Sequence, residues 1–259
     1  MREAVWAEAL KARRSRLPWL SAAAFLVAAF VGGMFMFILQ DPQRARSLGL
    51  LGTKAQLAGG TADWPGYFAL LAQTTAVGGT LIFGVILIWI FGREFSDHTA
   101  KDLLALPTPR AVIVLAKFAV TGIWCGLLAV EAYVIGLGIG ALLRLPGWSG
   151  SAAWQGLGRL LATAVLAWLL VSALALAASV GRGYLAAVGV MFVMVFLAQI
   201  VATLGYGHLF PWSVPGIFSG IAGADQPAVG VLGFALVVAV GVAGIASTVA
   251  WWQRADQTR

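Results

Sequence analysis

Charge is the scarcest property of this 259-residue chain. Asp, Glu, Lys and Arg make up 10% of its residues, whereas 61% are hydrophobic; a soluble domain has about 25% charged residues. The hydrophobic residues form runs of about 20 or more, the length that crosses roughly 30 Å of hydrocarbon. This composition excludes a water-soluble globule and predicts an integral membrane protein.

Cysteine and histidine are almost absent as well. The single cysteine, Cys125, lies within a hydrophobic run, which excludes a disulfide framework and a thiolate cluster. The two histidines, His98 and His208, lie far apart in the sequence, and their spacing predicts no metal site. The net charge of +7 comes from basic residues beside the membrane-length runs. It therefore indicates membrane orientation rather than nucleic-acid binding.

The chain also lacks an ATP-binding motif. No Gly-x-x-x-x-Gly-Lys-Ser/Thr sequence occurs, and none of the four lysines follows a glycine. We therefore expect no catalytic residue and no cofactor bound by this chain. Any energy from ATP would have to come from a partner.

Six hydrophobic runs predict an all-α membrane protein in which residues 1–259 form a single transmembrane domain. Residues 1–17 carry basic side chains beside Val5, Trp6, Ala9 and Leu10 at helical spacing, which predicts an amphipathic helix in the membrane interface. A signal peptide is the alternative, but the run that follows is longer than a signal core of about 7–15 residues. The predicted spans are 18–39, 66–91, 111–143, 153–180, 183–204 and 229–252.

The distribution of Lys and Arg predicts the orientation of the chain. If the N-terminus is inside, 12 of the 17 basic residues lie on the cytoplasmic side and five on the other. We therefore expect a multi-pass protein of a bacterial or archaeal inner membrane, with both termini and the loop at residues 92–110 in the cytoplasm. The third run is too long for one straight crossing and is expected to tilt or protrude.

The external segment at residues 205–227 combines Gly and Pro with large hydrophobic residues. This mixture predicts short half-helices that re-enter the membrane surface, or an aromatic-anchored loop. Phe210, Trp212 and Pro215 are candidate residues of an external gate.

Residues 92–110, "GREFSDHTAKDLLALPTPR", form a polar island between the second and third spans. Ser96 or Asp97 is expected to cap a short helix that places Leu103 and Leu104 on one face. Pro107 is expected to end that helix before the third span. A solvated surface helix is the alternative interpretation of this segment.

This island resembles the first intracellular loop of the permease subunits of ABC-2 type transporters, which have the type V exporter fold. The family pattern is Glu, three residues, Gly-Thr, three residues, Leu-Leu, then Pro and Arg. His98 stands where the family prefers Gly. The resemblance also covers the N-terminal helix, the six spans and the "FPWSVP" segment before the last span. The matching residues are Glu94, Thr99, Leu103, Leu104, Pro107 and Arg110.

The resemblance implies that the loop is a coupling helix that docks into a cleft on a separate ATP-binding cassette ATPase, which would hold ATP and Mg²⁺. Leu103 and Leu104 would enter the cleft, and charged residues would pair across its rim. It also implies two permease copies, with a homodimer favoured, and outward transport of an amphiphilic substrate such as an antibiotic, an antimicrobial peptide or a lipid. The rim residues are Glu94, Asp97, Lys101 and Asp102.

A few polar residues within the spans are candidates for a substrate pathway. Glu131 is the main one, because a carboxylate at bilayer depth costs several kcal/mol unless it is protonated, paired or hydrated. Gln73, Thr74 and Gln199 are weaker candidates. Hydrogen bonds between helices explain all four equally simply. Glycines four residues apart, at 122/126 and 136/140, predict close helix contacts.

Two other functions fit parts of the sequence. The "GWSG" stretch at residues 147–150 is similar to the nucleophile motif of rhomboid intramembrane proteases, with Ser149 as nucleophile and His208 as its base. The second span, however, contains no histidine to match that family. An ion-gradient-driven secondary transporter, with Glu131 as a proton carrier, is the other alternative.

Overall fold

The computed structural model describes residues 1–47, 61–99, 103, 107–221 and 228–254. Six of its helices are long and apolar enough to cross a membrane, which confirms the all-α, six-span prediction. We number these helices as the first to the sixth span. They are Leu17–Gln40, Trp64–Ser96, Arg110–Leu142, Gly150–Val180, Leu185–Thr203 and Val231–Arg254.

Local capping explains where several spans begin. The Asp63 carboxylate accepts a 2.7 Å hydrogen bond from the backbone N–H of Gly66 at the start of the second span. The Ser149 hydroxyl accepts the N–H of Ala152 in the same way at the start of the fourth. Both caps satisfy N–H groups that a first helical turn leaves without partners. Pro109, with extended backbone, directly precedes the third span.

The second span differs most from its prediction, because it continues to Ser96 instead of ending at residue 91. Gly92 does not interrupt it: a β-carbon there would lie 2.6 Å from the Tyr184 ring, so the glycine permits close packing. The predicted helix cap at Ser96 or Asp97 is therefore wrong. Ser96 is the last residue of the span and Asp97 follows as its C-cap.

The second span also contains one turn of π-helix, Thr75–Gly79, between α-helical segments Trp64–Thr74 and Thr80–Ser96. Single π turns occur often at functional sites. The π turn lies toward the upper end of the bundle, where two of its residues line a cavity.

Both described ends of the chain lie at one end of the bundle, which we call the lower end. The N-terminal helix, Arg2–Arg13, packs there against the third span. The Arg110 guanidinium donates to the backbone oxygens of Trp252 and Gln253, at 3.3 and 3.4 Å. The opposite end, with the start of the fourth span at Gly150, is the upper end.

The second span lies at the centre of the bundle and the fifth at its edge. In their most hydrophobic stretches, 67% of the residues of the second span are buried, against 11% in the fifth. The core is formed mainly by large side chains of the second, third and fourth spans, such as Phe83, Phe91, Phe118 and Leu160.

The predicted close helix contacts are present at Gly136 and Gly140, whereas at the other pair only Gly122 has one. A β-carbon at Gly136 or Gly140 would lie 2.5 or 2.6 Å from Leu71 or Trp64, so this pair permits close approach to the second span. Gly122 lies against the Trp168 ring. A β-carbon at Gly126 would meet no atom within 4 Å, so that glycine permits no helix contact.

Three short helices follow the fifth span at the upper end. They are Gly207–Leu209, Pro211–Ser213 and Val214–Ser219. The Ser213 hydroxyl donates to the backbone oxygen of Ala198 at 2.8 Å, and Arg159 donates to that of Phe218 at 3.1 Å. These bonds attach the segment to the fifth and fourth spans.

Candidate functional site

Four charged residues form a buried ionic cluster at the lower end of the bundle. Lys117, on the third span, donates to Glu8 at 2.8 Å and to Glu94 at 2.6 Å. Lys11, on the N-terminal helix, donates to the same two carboxylates at 3.0 and 3.1 Å. We call Glu8, Lys11, Glu94 and Lys117 the ionic cluster. It joins the N-terminal helix, the second span and the third span.

Because three members of the ionic cluster are buried, their pairing has a large effect on the stability of the protein. The side chains of Lys117, Glu94 and Glu8 are 0%, 2% and 6% exposed, whereas that of Lys11 is 36% exposed. A buried ion costs several kcal/mol when unpaired, and its loss of hydration is offset only by close partners of opposite sign. Two cations and two anions make the cluster neutral. Removing any one buried member would leave an uncompensated charge.

Lys11 is the member of the cluster closest to solvent. Burial acts to lower the pKa of its ammonium group, but the charges of Glu8 and Glu94 outweigh that effect and raise the pKa above its ordinary value. Lys11 is therefore charged at neutral pH, as the balance of the cluster requires.

Glu94 also connects the cluster to the polar island. Its Oε1 accepts from the two lysines, while its Oε2 accepts a 2.6 Å hydrogen bond from the Thr99 hydroxyl. Between them the chain turns at His98, whose φ of 58° lies in the left-handed region. Glycine adopts this conformation with least strain, and histidine is among the residues that tolerate it. This geometry explains why a Glu, three residues, Gly-Thr pattern suits the turn.

The other predicted coupling residues have different environments. Asp97 is exposed and pairs with Arg93 at 3.5 Å, and Pro107 is exposed. Leu103 is 9% exposed, and its contact with a cleft on the ATPase stays a prediction. Lys101, Asp102 and Leu104 lie outside the described residues. Arg110 connects the start of the third span to the end of the sixth.

Aromatic packing holds the end of the sixth span beside the polar island. The Trp252 indole N–H donates to the Ser179 hydroxyl at 2.9 Å, and its ring lies 5.7 Å from that of Phe95, centroid to centroid. Phe95 immediately follows Glu94. The ends of the second, fourth and sixth spans therefore meet next to the ionic cluster.

A cavity of about 300 Å³ lies toward the upper end, between the π turn, the fifth span and the short upper helices. It brings together two of the predicted residues, Gln199 and Trp212. Thr74 lines a separate cavity of about 30 Å³ on the other side of the π turn. Gln73, Phe210 and Pro215 line neither of these cavities.

Glu131 also lines neither cavity. It lies next to a stripe of exposed hydrophobic residues on the third span that includes Leu127, Val130 and Val134. It is partly exposed, and among the described residues its carboxylate has no hydrogen-bond or ion-pair partner. The structure therefore does not bring Glu131 together with Gln199.

Among the described residues, no hydrogen bond joins Ser149 to His208. Ser149 caps the fourth span and bonds to the Ser151 hydroxyl at 3.1 Å. His208 lies in the first short upper helix, and its Nδ1 is buried without a hydrogen-bond partner among the described residues.

Three members of the ionic cluster, Glu8, Lys11 and Lys117, are absent from the site predicted from the sequence. Lys117 lies two helical turns inside the third span, and a charged residue at that depth calls for a buried partner. The sequence therefore indicates that Lys117 has a buried partner. The sequence gives no indication that Glu8, 109 residues away, is the partner.

Together these features define a multi-pass helical membrane protein with the ionic cluster at its lower end. Comparison with known families matches residues 4–198 to the family described as ABC-2 family transporter protein. The chain belongs to this family, which confirms the resemblance drawn from the polar island. It is also 26% identical over 179 residues to the bacitracin transport permease protein BCRB of Bacillus licheniformis, covering 69% of this chain and 85% of that protein.

Family membership distinguishes a transporter permease from an intramembrane protease. The chain is an ABC transporter permease, and the ATPase of such a transporter is a separate subunit. It is therefore not an enzyme, and the protease hypothesis is wrong. ATP and Mg²⁺ belong to the ATPase partner.

Proposed function

We propose that this permease moves an amphiphilic substrate outward and that the ATPase drives it through residues 92–110. The bond between Thr99 and Glu94 is the observation that carries the proposal. It attaches the first residues of the loop to a carboxylate fixed by Lys117 in the protein interior. A force on the loop would therefore act on the second and third spans together, instead of being lost in a flexible connection.

We propose that the lower end faces the cytoplasm, where the ATPase and ATP are found. The excess of Lys and Arg on this side supports that orientation. The N-terminal helix would then lie in the inner membrane interface, with its Trp6 side chain, 69% exposed, toward lipid. We also propose that Leu104 and Lys101 contact the ATPase, as the family resemblance implies.

The substrate we propose is an amphiphile of the antibiotic or antimicrobial-peptide class. The similarity to a bacitracin transport permease supports this class. The hydrophobic character of the spans also suits a substrate that partitions into the membrane.

We further propose that the permease works as a homodimer. The fifth span has 11% of its most hydrophobic stretch buried within one copy, and Phe192 and Phe196 on it are 60% and 69% exposed. A second copy would cover part of this face and complete the pathway. Cross-linking of cysteines placed on the fifth span, in a Cys125→Ser background, tests this arrangement.

Transport by inverted membrane vesicles tests the proposed function. We expect vesicles that contain the permease and its ATPase to accumulate bacitracin on addition of ATP, with no effect of a proton ionophore. Vesicles with the permease alone should not respond to ATP. Accumulation that needs a proton gradient and is independent of ATP would contradict the proposed function.

A further inference from the structure

The cavity of about 300 Å³ at the upper end has the size and composition of a ligand site. Small-molecule sites commonly have volumes of about 300–1,000 Å³ and are lined mainly by apolar groups. This cavity is lined by Val195, Trp212 and Ile217, among others, and none of its described lining residues is charged. A group that enters it is therefore expected to be uncharged, because none of the described lining residues would offset the loss of hydration of an ion.

Two residues that line the cavity carry hydrogen-bond donors with no partner among the described residues. Most polar groups of the lining are already used: Thr203 donates to the backbone oxygen of Gln199, and Ser213 donates to that of Ala198. The side-chain amide of Gln199 and the indole N–H of Trp212 remain. A ligand with an uncharged acceptor, such as a carbonyl or hydroxyl oxygen, would satisfy them.

The cavity is open at the protein surface. Gln199 and Ile221 both line it and are both exposed. Because the fifth span is the least buried of the six, this opening lies beside the edge of the bundle. An apolar molecule dissolved in the bilayer could enter sideways without crossing water.

We propose that this cavity binds the uncharged apolar part of an amphiphile and that Gln199 and Trp212 hydrogen-bond to an acceptor on it. This inference rests on the proposed function and names the site through which the substrate passes. A charged headgroup stays outside the cavity, so the site selects by the apolar body and not by the sign of the charge.

The second span connects the cavity to the ionic cluster, because it contains both the π turn and Glu94. Ala76 and Val77 of the turn line the cavity, and Thr75 and Gly79 line the 30 Å³ cavity behind it. The turn thus has free space on both sides, into which this part of the second span can shift. The same helix carries Glu94 at its lower end.

Photolabelling of the full chain in lipid nanodiscs tests the proposal. The probe is a twelve-carbon alcohol with a diazirine on its chain, and two further probes carry a trimethylammonium or a sulfate group in place of the hydroxyl. We expect the alcohol to label peptides containing residues 76–80, 195–203 and 212–221. Val195→Phe, which fills the cavity, should abolish this labelling. Val193→Phe is the matched control because Val193 is 54% exposed on the same span.

A second variant tests the proposal if Val195→Phe does not fold. Gln199→Leu removes one donor from an exposed position, and half-maximal labelling should then need about fivefold more alcohol, as expected for one uncharged hydrogen bond. Equal labelling in Val195→Phe and Val193→Phe would overturn the proposal. So would stronger labelling of these peptides by the sulfate probe than by the alcohol.

Co-purification of the ATPase separates this inference from the proposed function. If the ATPase binds but the cavity is not labelled, only the cavity inference fails. If the cavity is labelled as expected but no ATPase binds, the proposed function fails and the amphiphile site stands.

Discussion

The Thr99 hydroxyl lies 2.6 Å from Oε2 of Glu94, and the other oxygen of that carboxylate lies 2.6 Å from the Lys117 ammonium group. One side chain therefore fixes both the loop outside the second span and the third span beside it. Under the proposed function, this fixed connection would pass motion of the ATPase to the membrane domain, whereas a flexible loop would absorb it.

Loss of Lys117 should destabilise the protein strongly. Lys117→Met leaves Glu8 and Glu94 with only Lys11 between them, and breaking a buried pair costs about 3–5 kcal/mol. Adding Glu8→Gln to this variant restores neutrality and should recover much of the loss. Lys11→Met, at a half-exposed position, should cost less. Thermal unfolding in detergent measures all four proteins; additive losses in the double variant would show that charge balance is not the cause.

Replacement of His98 tests the left-handed turn. His98→Gly should stabilise the protein by about 1 kcal/mol, because glycine adopts a positive φ without the side-chain strain. His98→Val should destabilise it, since a branched side chain tolerates this conformation poorly. Asp97→Gly is the control, because Asp97 has a φ of −88° and gains nothing from glycine. Equal melting shifts for the two glycine variants would contradict the assigned role of His98.

Thr99 variants test coupling separately from folding. Thr99→Val removes the hydroxyl that binds Glu94, so substrate-stimulated ATP hydrolysis by the assembled transporter should fall about fivefold. Thr99→Ser keeps the hydroxyl and should retain the stimulation. Thr108→Val, in the same loop, is a matched control that should also retain it. A similar fall in the serine and valine variants would show that the hydrogen bond is not the reason.

Glycine packing between the fourth and sixth spans gives a further test. A β-carbon at Gly244 would lie 2.7 Å from the backbone of Ala173, so Gly244→Ala should force the spans apart at a cost of about 1–3 kcal/mol. Gly126→Ala meets no atom within 4 Å and should be neutral or slightly stabilising. Similar melting shifts for both variants would argue against this packing.

The six spans could be predicted from the sequence because hydrophobic length alone determines which helices can cross a membrane. The lower end of the second span could not be predicted in the same way. There the helix leaves its apolar run and continues through Arg93 and Glu94, supported by packing against Tyr184 and by the lysines. Hydrophobicity marks where a span can be buried in lipid, not where its helix ends.

The candidate sites depend on contacts that the sequence does not display. The loop pattern identified Glu94 and Thr99, but not the bond between them or the left-handed turn that permits it. Lys117 and Glu8 come together only when the N-terminal helix packs on the third span. The upper cavity likewise forms from three separate parts of the chain, and among its lining residues the sequence predicts a functional role only for Gln199 and Trp212.

The most direct test of the account is the capture of the ATPase subunit by the tagged permease after Leu104→Glu. An acidic group in an apolar docking contact should reduce the captured ATPase about tenfold or more, because burial of an unpaired charge is unfavourable. Leu142→Glu is the matched control, since Leu142 is 82% exposed at the upper end of the third span, and it should capture the wild-type amount. Undiminished capture by a well-folded Leu104→Glu protein would contradict the claim that the ATPase docks on this loop.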